Sequence, residues 1–301
     1  YLNQQQRSES SGPDSLNTPL LVRTTRTEFQ SYVQKGVEHY ERETAELNML
    51  LFPQILEHIS RVDRVISNPG GNLLLIGRSG VGRRTAVKIV SHMHGYDFYN
   101  PSLTRSAEED AMRHFRSELK PVFHSVATEM GHSILYLEDH HFSCEAVLEL
   151  VNSMLSSGEV PGLFSNEELE TLYATMREAM MDEGTEINPY DYFTKRIRRF
   201  IHICVAMDPT SKSFDVRCES NPALFTRCTI LWMGKWSRSS MRSVPAMIDG
   251  VKTLLSADSS SPDAAEIQRL DSKTSMRGGK TASKDDKDVA LEERPSTKAD
   301  V

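Results

Sequence analysis

No stretch of this 301-residue chain approaches the roughly 20 consecutive apolar residues that a bilayer-spanning helix needs, so a helical membrane span is excluded. Cysteine is scarce. Cys144, Cys204, Cys218 and Cys228 form no C-x-x-C pair and no metal-ligand spacing, which argues against a zinc ribbon or a disulfide framework. They read as reduced thiols of a cytosolic protein. Positive charge is not in excess either. The formal net charge of −7 argues against a nucleic-acid surface as the main function. His140-His141 invites a metal reading, but no third ligand sits at a matching spacing, and no metal site is expected. The chain lacks an initiator Met and a signal-peptide pattern, and reads as a piece of a longer protein.

What is present suffices for a core: 38% of residues are hydrophobic and 26% charged, ordinary for a folded soluble domain. Residues 1–28 are polar and read as a flexible lead-in. Across 29–67, Leu47, Leu50, Leu51, Ile55, Ile59 and Val62 recur at helical steps. Pro69-Gly70-Gly71 then turns the chain into a strand, Leu73–Ile76. A helix follows with Ala86, Ile89, Val90 and Met93 on one side, ended by Gly95. Next come a strand at 96–99, an amphipathic helix carrying Phe115, Leu119, Val122 and Val126 with Pro121 as a kink, and a strand at 133–137. A helix at 146–155, a polar acidic stretch at 165–188, and strands at Ile201–Met207 and Thr229–Trp232 complete the pattern. Strands alternating with helices imply an α/β fold, a parallel sheet with helices on both faces. No aromatic residue follows Trp236, and 249–301 is expected to be disordered, with at most a short helix at 264–270. The folded body is then 29–248.

The run from Leu73 into Gly77-Arg78-Ser79-Gly80-Val81-Gly82-Arg83-Arg84-Thr85 has the layout of a phosphate-binding loop: buried strand, glycine-rich turn, helix start. Gly77 and Gly82 keep the G-x-x-x-x-G spacing. Arg83 stands where a Lys reaches the outer phosphates, and Arg84 where a Ser or Thr hydroxyl binds magnesium. Thr85 is one residue on, about 100° around the helix. Arginine charge then partly substitutes for the metal, favouring retention of nucleotide over turnover. The plainer alternative is a solvated basic helix start that holds nothing.

A second element is expected, and the strand at 133–137 runs into Glu138-Asp139. Such ATPases place an acidic pair there, one carboxylate for the metal and one for the attacking water. Each is displaced by a methylene relative to the usual order, and water positioning is sensitive to about 1 Å, so hydrolysis should suffer. The alternative is an acidic pair at a solvent edge. Asp208, ending the strand Ile201–Met207, fits a sensor position, where an ionised carboxylate would repel phosphate. It fits equally a turn aspartate before Pro209.

Several strings are specific enough to resemble a family. Asn152-Ser-Met-Leu-Ser-Ser-Gly-Glu-Val-Pro-Gly-Leu-Phe164 with Glu167-Glu168, the segment from Leu51 through Pro69-Gly-Gly-Asn72, and Asn221-Pro-Ala-Leu224 with Thr229-Ile-Leu-Trp-Met-Gly-Lys-Trp236 resemble dynein heavy chains. Asn221 and Leu231 depart from the family pattern. The likeness covers about 40–248 and is strongest to the fourth AAA+ module of the motor ring in the ciliary, cytoplasmic dynein-2 branch.

The resemblance implies an AAA+ P-loop large subdomain without its helical small subdomain. It also implies a site for ATP or ADP, with magnesium in question, formed between subdomains and against a neighbouring module. Arg217 lies near where the family aims arginines at a neighbour. The implied setting is a minus-end-directed microtubule motor for retrograde intraflagellar transport, in cytoplasm, cytoskeleton and cilium. Its partners are the neighbouring AAA+ modules of the same chain, dynein intermediate and light chains, and microtubules, with no nucleic acid and no membrane span. A vestigial scaffold and a free-standing P-loop ATPase are the competing readings.

Overall fold

A computed structural model describes residues 23–47, 49–102, 108–129 and 131–247. The tail beyond 247, with the helix expected at 264–270, lies outside the described residues, as does most of the lead-in. The chain divides into 1–241, which carries the fold, and 242–301, of which only the end of one helix is described.

The first helix, α1 (Arg26–Glu43), begins three residues before the expected body. Thr25 caps it in a reciprocal box with Glu28. The helical pattern across 29–67 is not one helix. The chain breaks after Glu43 and restarts at α2 (Pro53–Ile66), with proline in the first turn where its missing N–H does no harm. Strand β1 (Leu73–Ile76) follows, then α3 (Arg83–His94), stopped by Gly95 at φ 68°. β2 (Asp97–Tyr99) leads to α4 (Glu108–Thr128), which runs through Pro121 uninterrupted. β3 (Ser133–Glu138) enters a 3-10 turn, Asp139–Ser143, and α5 (Glu145–Ser157).

The polar stretch at 165–188 holds a helix, α6 (Asn166–Asp182). Leu172, Met176 and Met180 at four-residue steps are its buried stripe, and Ser165 with Glu168 forms its capping box. α7 (Pro189–Phe200) runs directly into β4 (Ile201–Met207). α8 (Phe214–Ser220), α9 (Ala223–Thr226), β5 (Thr229–Trp232) and α10 (Arg238–Met247) complete the described chain.

All pairings are parallel, in the order β2-β3-β4-β1-β5. Strands buried on both faces explain why β1, β3 and β4 read as continuous apolar runs. Leu74, Ile76, Leu135, Leu137, Ile203, Val205 and Met207 share one core with α4 to α7. Alternation turns Leu73, Leu75, Tyr136, Cys204 and Ala206 to the other face. The register sets Ile76 beside both Met207 and Trp232, and Glu138 beside Ala206. The carboxyl ends of four strands therefore meet along one edge, where open α/β sheets bind their ligands. A cavity of about 510 Å³ lined by Lys195, Arg198, Arg199 and Arg227 opens at the other end, by Gly70 and Asn72 at the start of β1.

Candidate functional site

The loop between β1 and α3 is held from both sides. Gly77 N–H donates to Met207 O at 3.0 Å, and Met233 N–H to Ile76 O at 2.8 Å. Gly77 is required by proximity, because a Cβ there would stand 2.5 Å from the Met233 carbonyl oxygen. Gly80 and Gly82 both have φ of 86°, the left-handed region that suits glycine. Gly82 is the residue before α3, and no side chain among the described residues caps that helix. The first-turn N–H groups and the positive end of the helix dipole therefore face the loop, an arrangement suited to phosphate.

The two arginines diverge. Arg83 turns inward, where its charge reaches Asp139, Asp208 and Tyr136, and its Nη1 atom is buried without a hydrogen-bond partner among the described residues. The Tyr136 hydroxyl is likewise buried, with the Glu138 carboxylate near it. Arg84 is exposed and turns toward β2, where the Asn100 amide, oriented to suit both neighbours, accepts from its guanidinium and donates to Tyr136 O. Val81 is buried, Arg78 and Ser79 are exposed, and Thr85 is half-buried in the first turn of α3.

The acidic groups are largely engaged by protein. Asp139 Oδ2 accepts from the Asp208 N–H at 2.7 Å, and its Oδ1 lies 3.4 Å from Arg217 Nη1. Burial pushes the Asp139 carboxyl up, opposed by the Asp208 N–H and by Arg83 and Arg217. Arg217 also donates to Phe142 O at 2.8 Å, so it is tied within its own domain. Asp208 accepts from the Thr210 hydroxyl at 2.7 Å and its N–H at 2.9 Å, the turn geometry that competes with a sensor role. These bonds hold its carboxyl below the usual range, with smaller help from Arg83 and the Ser79 N–H, so it is ionised at neutral pH. Glu138 is half-buried, with Oε2 3.6 Å from His140 Nδ1.

His141 has a role that the sequence did not disclose. It is fully buried, its Nε2 donates to Pro101 O at 2.7 Å, and its Nδ1 accepts from Glu138 N–H at 2.8 Å. That tautomer follows from the partners, and burial lowers the ring's pKa. His141 thus fixes the backbone at the end of β3 and is no metal ligand. Its spacing of three from Glu138, ahead of a helix, was the available signal.

The residues fit a nucleotide's phosphates: an open helix N-terminus, a glycine loop, and an inward guanidinium with an unpartnered N–H. They do not fit a protein-held magnesium. Arg84 replaces the hydroxyl, while Asp139 and Asp208 are engaged by Arg217 and Thr210.

A parallel sheet with this loop at the end of β1, an interior strand between β4 and β5, defines a P-loop domain of the AAA class. The sequence profile described as P-loop containing dynein motor region D4 matches residues 47–261. The chain belongs to this family of dynein heavy-chain motor regions. It is 44% identical to cytoplasmic dynein 2 heavy chain 1 of Rattus norvegicus over 228 residues, 76% of this chain and 5% of that protein. It is also 44% identical to the Chlamydomonas reinhardtii protein of the same name over 229 residues, again 5% of its length. The cytoplasmic dynein heavy chain of Drosophila melanogaster matches at 31% over 224 residues, 73% of this chain. The chain therefore spans about one-twentieth of the curated relatives it matches.

Proposed function

We propose that this chain is a nucleotide-retaining, poorly hydrolysing module of a ciliary dynein heavy-chain ring, which regulates the motor and does not power it. Arg83 carries this reading. Its buried Nη1 atom, unpartnered among the described residues and set at the open N-terminus of α3, supplies a fixed positive charge where metal and lysine usually act. ATP or ADP supplies the phosphates. The loop N–H groups and Arg83 would hold them, and the engaged Asp139 and Asp208 leave no free carboxylate pair to position water. Glu138 is the remaining candidate base. Residues 1–28 and 249–301 flank the module, and 77–85 with Glu138, Asp139 and Asp208 form its site.

The wider setting follows the relatives: a minus-end-directed microtubule motor of retrograde intraflagellar transport, acting in cytoplasm and cilium with intermediate and light chains. Neighbouring AAA+ modules are the direct partners. The exposed edge strand β5, with Trp232 61% exposed, supports such a neighbour. No helix among the described residues is long and apolar enough to cross a membrane.

The test is nucleotide content and binding of the complete heavy chain, with and without magnesium, against Arg83→Ala. One nucleotide retained independently of magnesium and lost in the variant is expected. Equal content in both proteins overturns the reading and leaves a vestigial ring segment. Magnesium-dependent turnover assigned to this site would overturn it in favour of an active ATPase.

A further inference from the structure

Away from the nucleotide edge, α1 approaches α3 closely at Gly36, where an added Cβ would stand 2.8 Å from Met93 Cγ. His39 and Glu43 follow Gly36 by three and seven residues and share its face of α1. His92 lies in the last turn of α3. Their ligating atoms converge. His39 Nδ1 is 2.9 Å from His92 Nε2, and Glu43 Oε2 is 3.5 Å from the first and 3.7 Å from the second.

We infer that His39, Glu43 and His92 form a zinc site that clamps α1 to α3. Tetrahedral zinc, at about 2.0–2.1 Å from nitrogen and oxygen ligands, separates them by about 3.3–3.4 Å. The three distances bracket that value, so one ion sits about 2 Å from all three atoms after adjustments of a few tenths of an ångström. Without the ion, one imidazole lone pair must face the other ring's N–H, and Glu43 has no Lys or Arg ion partner among the described residues. Two imidazoles and one carboxylate select a borderline ion such as zinc over magnesium or calcium, which prefer all-oxygen sets. His39 and Glu43 are exposed, so the site is accessible, while His92 is mostly buried and packs edge-on against Tyr40 at 5.2 Å. A water completes the fourth position. The phosphate loop opens the other end of α3, so the clamp anchors the helix that presents the loop. The ligands escaped the sequence reading because 53 residues separate His39 from His92.

The test uses the full chain and zinc chloride alone, read by competition with a chromophoric chelator and by the visible spectrum of Co²⁺ in place of zinc. One ion per chain with tetrahedral cobalt bands is expected, and His39→Gln, Glu43→Gln and His92→Gln each loosen binding at least about tenfold. His114→Gln, which removes a histidine paired with a carboxylate at the same helical spacing but without a third ligand among the described residues, should change affinity less than about twofold. Zinc should raise the Tm of the wild-type chain by roughly 5 °C, and magnesium at the same concentration should not. Absence of stoichiometric zinc binding overturns the proposal. So does an affinity unchanged in all three variants, or one lost equally in His114→Gln. The assay contains no nucleotide, so its failure is separate from failure of the phosphate site.

Discussion

Arg217 Nη1 stands 3.4 Å from Asp139 Oδ1, while the Asp208 N–H holds the other oxygen of that carboxylate at 2.7 Å. One side chain thus braces the end of β3 against β4 and α8. Its environment is that of a structural acceptor, partly buried with a cation and a backbone donor already in place. Asp139→Ala leaves the Asp208 N–H and Arg217 Nη1 without their acceptor, though Arg217 Nη2 keeps Phe142 O, and should lower unfolding free energy by about 1–3 kcal/mol. Asp139→Asn keeps one acceptor and should cost less. Denaturant titration of the two variants checks this. A destabilisation within about 0.5 kcal/mol for Asp139→Ala would return the residue to a metal-holding role.

Arg83 and Arg84 are adjacent in sequence and opposite in direction, which predicts unequal effects on nucleotide. Arg83→Ala removes the charge-assisted contact to phosphate that we propose and should weaken ADP binding about 10- to 100-fold. Arg84→Ala, at the Asn100 side, should change it less than about threefold. Arg84→Ser restores the hydroxyl and should make affinity respond to magnesium. Titration of a fluorescent nucleotide into each complete heavy chain, with and without magnesium, reads all three. Equal losses in the two alanine variants would show a diffuse basic patch with no aimed guanidinium.

Much of the fold was readable because parallel strands buried on both faces leave unbroken apolar runs. Leu73–Ile76, Ile201–Met207 and Thr229–Trp232 stand where the pattern put them. Strand order was not readable, since no local signal tells β1 to lie between β4 and β5. The break between α1 and α2 was masked by Leu47, Leu50 and Leu51, which continue the helical period across a non-helical segment, although Pro53 marked the restart. α6 was hidden because three buried residues sit among acidic ones. The conformation of the loop between β1 and α3 was legible from glycine spacing. The engagement of Asp139 by Arg217, 78 residues away, required the fold.

Gly77 and Gly80 separate two reasons for glycine in one loop. Gly80 has φ of 86° and open space around it, so Gly80→Ala meets only a backbone penalty of about 1–2 kcal/mol. At Gly77 a methyl group would lie 2.5 Å from Met233 O and must push β5 from β1. Gly77→Ala should therefore destabilise the domain more, by about 2–4 kcal/mol, and loosen nucleotide as the loop shifts. Thermal unfolding of both variants decides the order. A smaller effect at Gly77 would mean that the end of β5 yields freely.

Acid should unfold this domain through its histidines, His202 foremost. The ring is fully buried in β4, donates from Nδ1 to Gly71 O at 2.8 Å, and accepts at Nε2 from His132 Nδ1 at 3.0 Å. Tyr96 stacks beside both rings, and among the described residues the charges acting on His202 come from His132 and His94, with no carboxylate. Burial lowers its pKa from 6.5 to about 4, partly offset by the Gly71 carbonyl. Between those values the unfolded chain binds more protons than the native one, so stability rises with pH and is lost on acidification. The contribution is complete above 6.5 and amounts to about 3 kcal/mol at full loss. His58, His132 and His141 are lowered by burial as well and add with the same sign. Unfolding free energy measured from pH 7 to pH 4 should fall steeply in the wild-type chain and less steeply in His202→Gln, whatever that variant's starting stability. An identical slope in both would move the acid sensitivity from His202 to the other three rings.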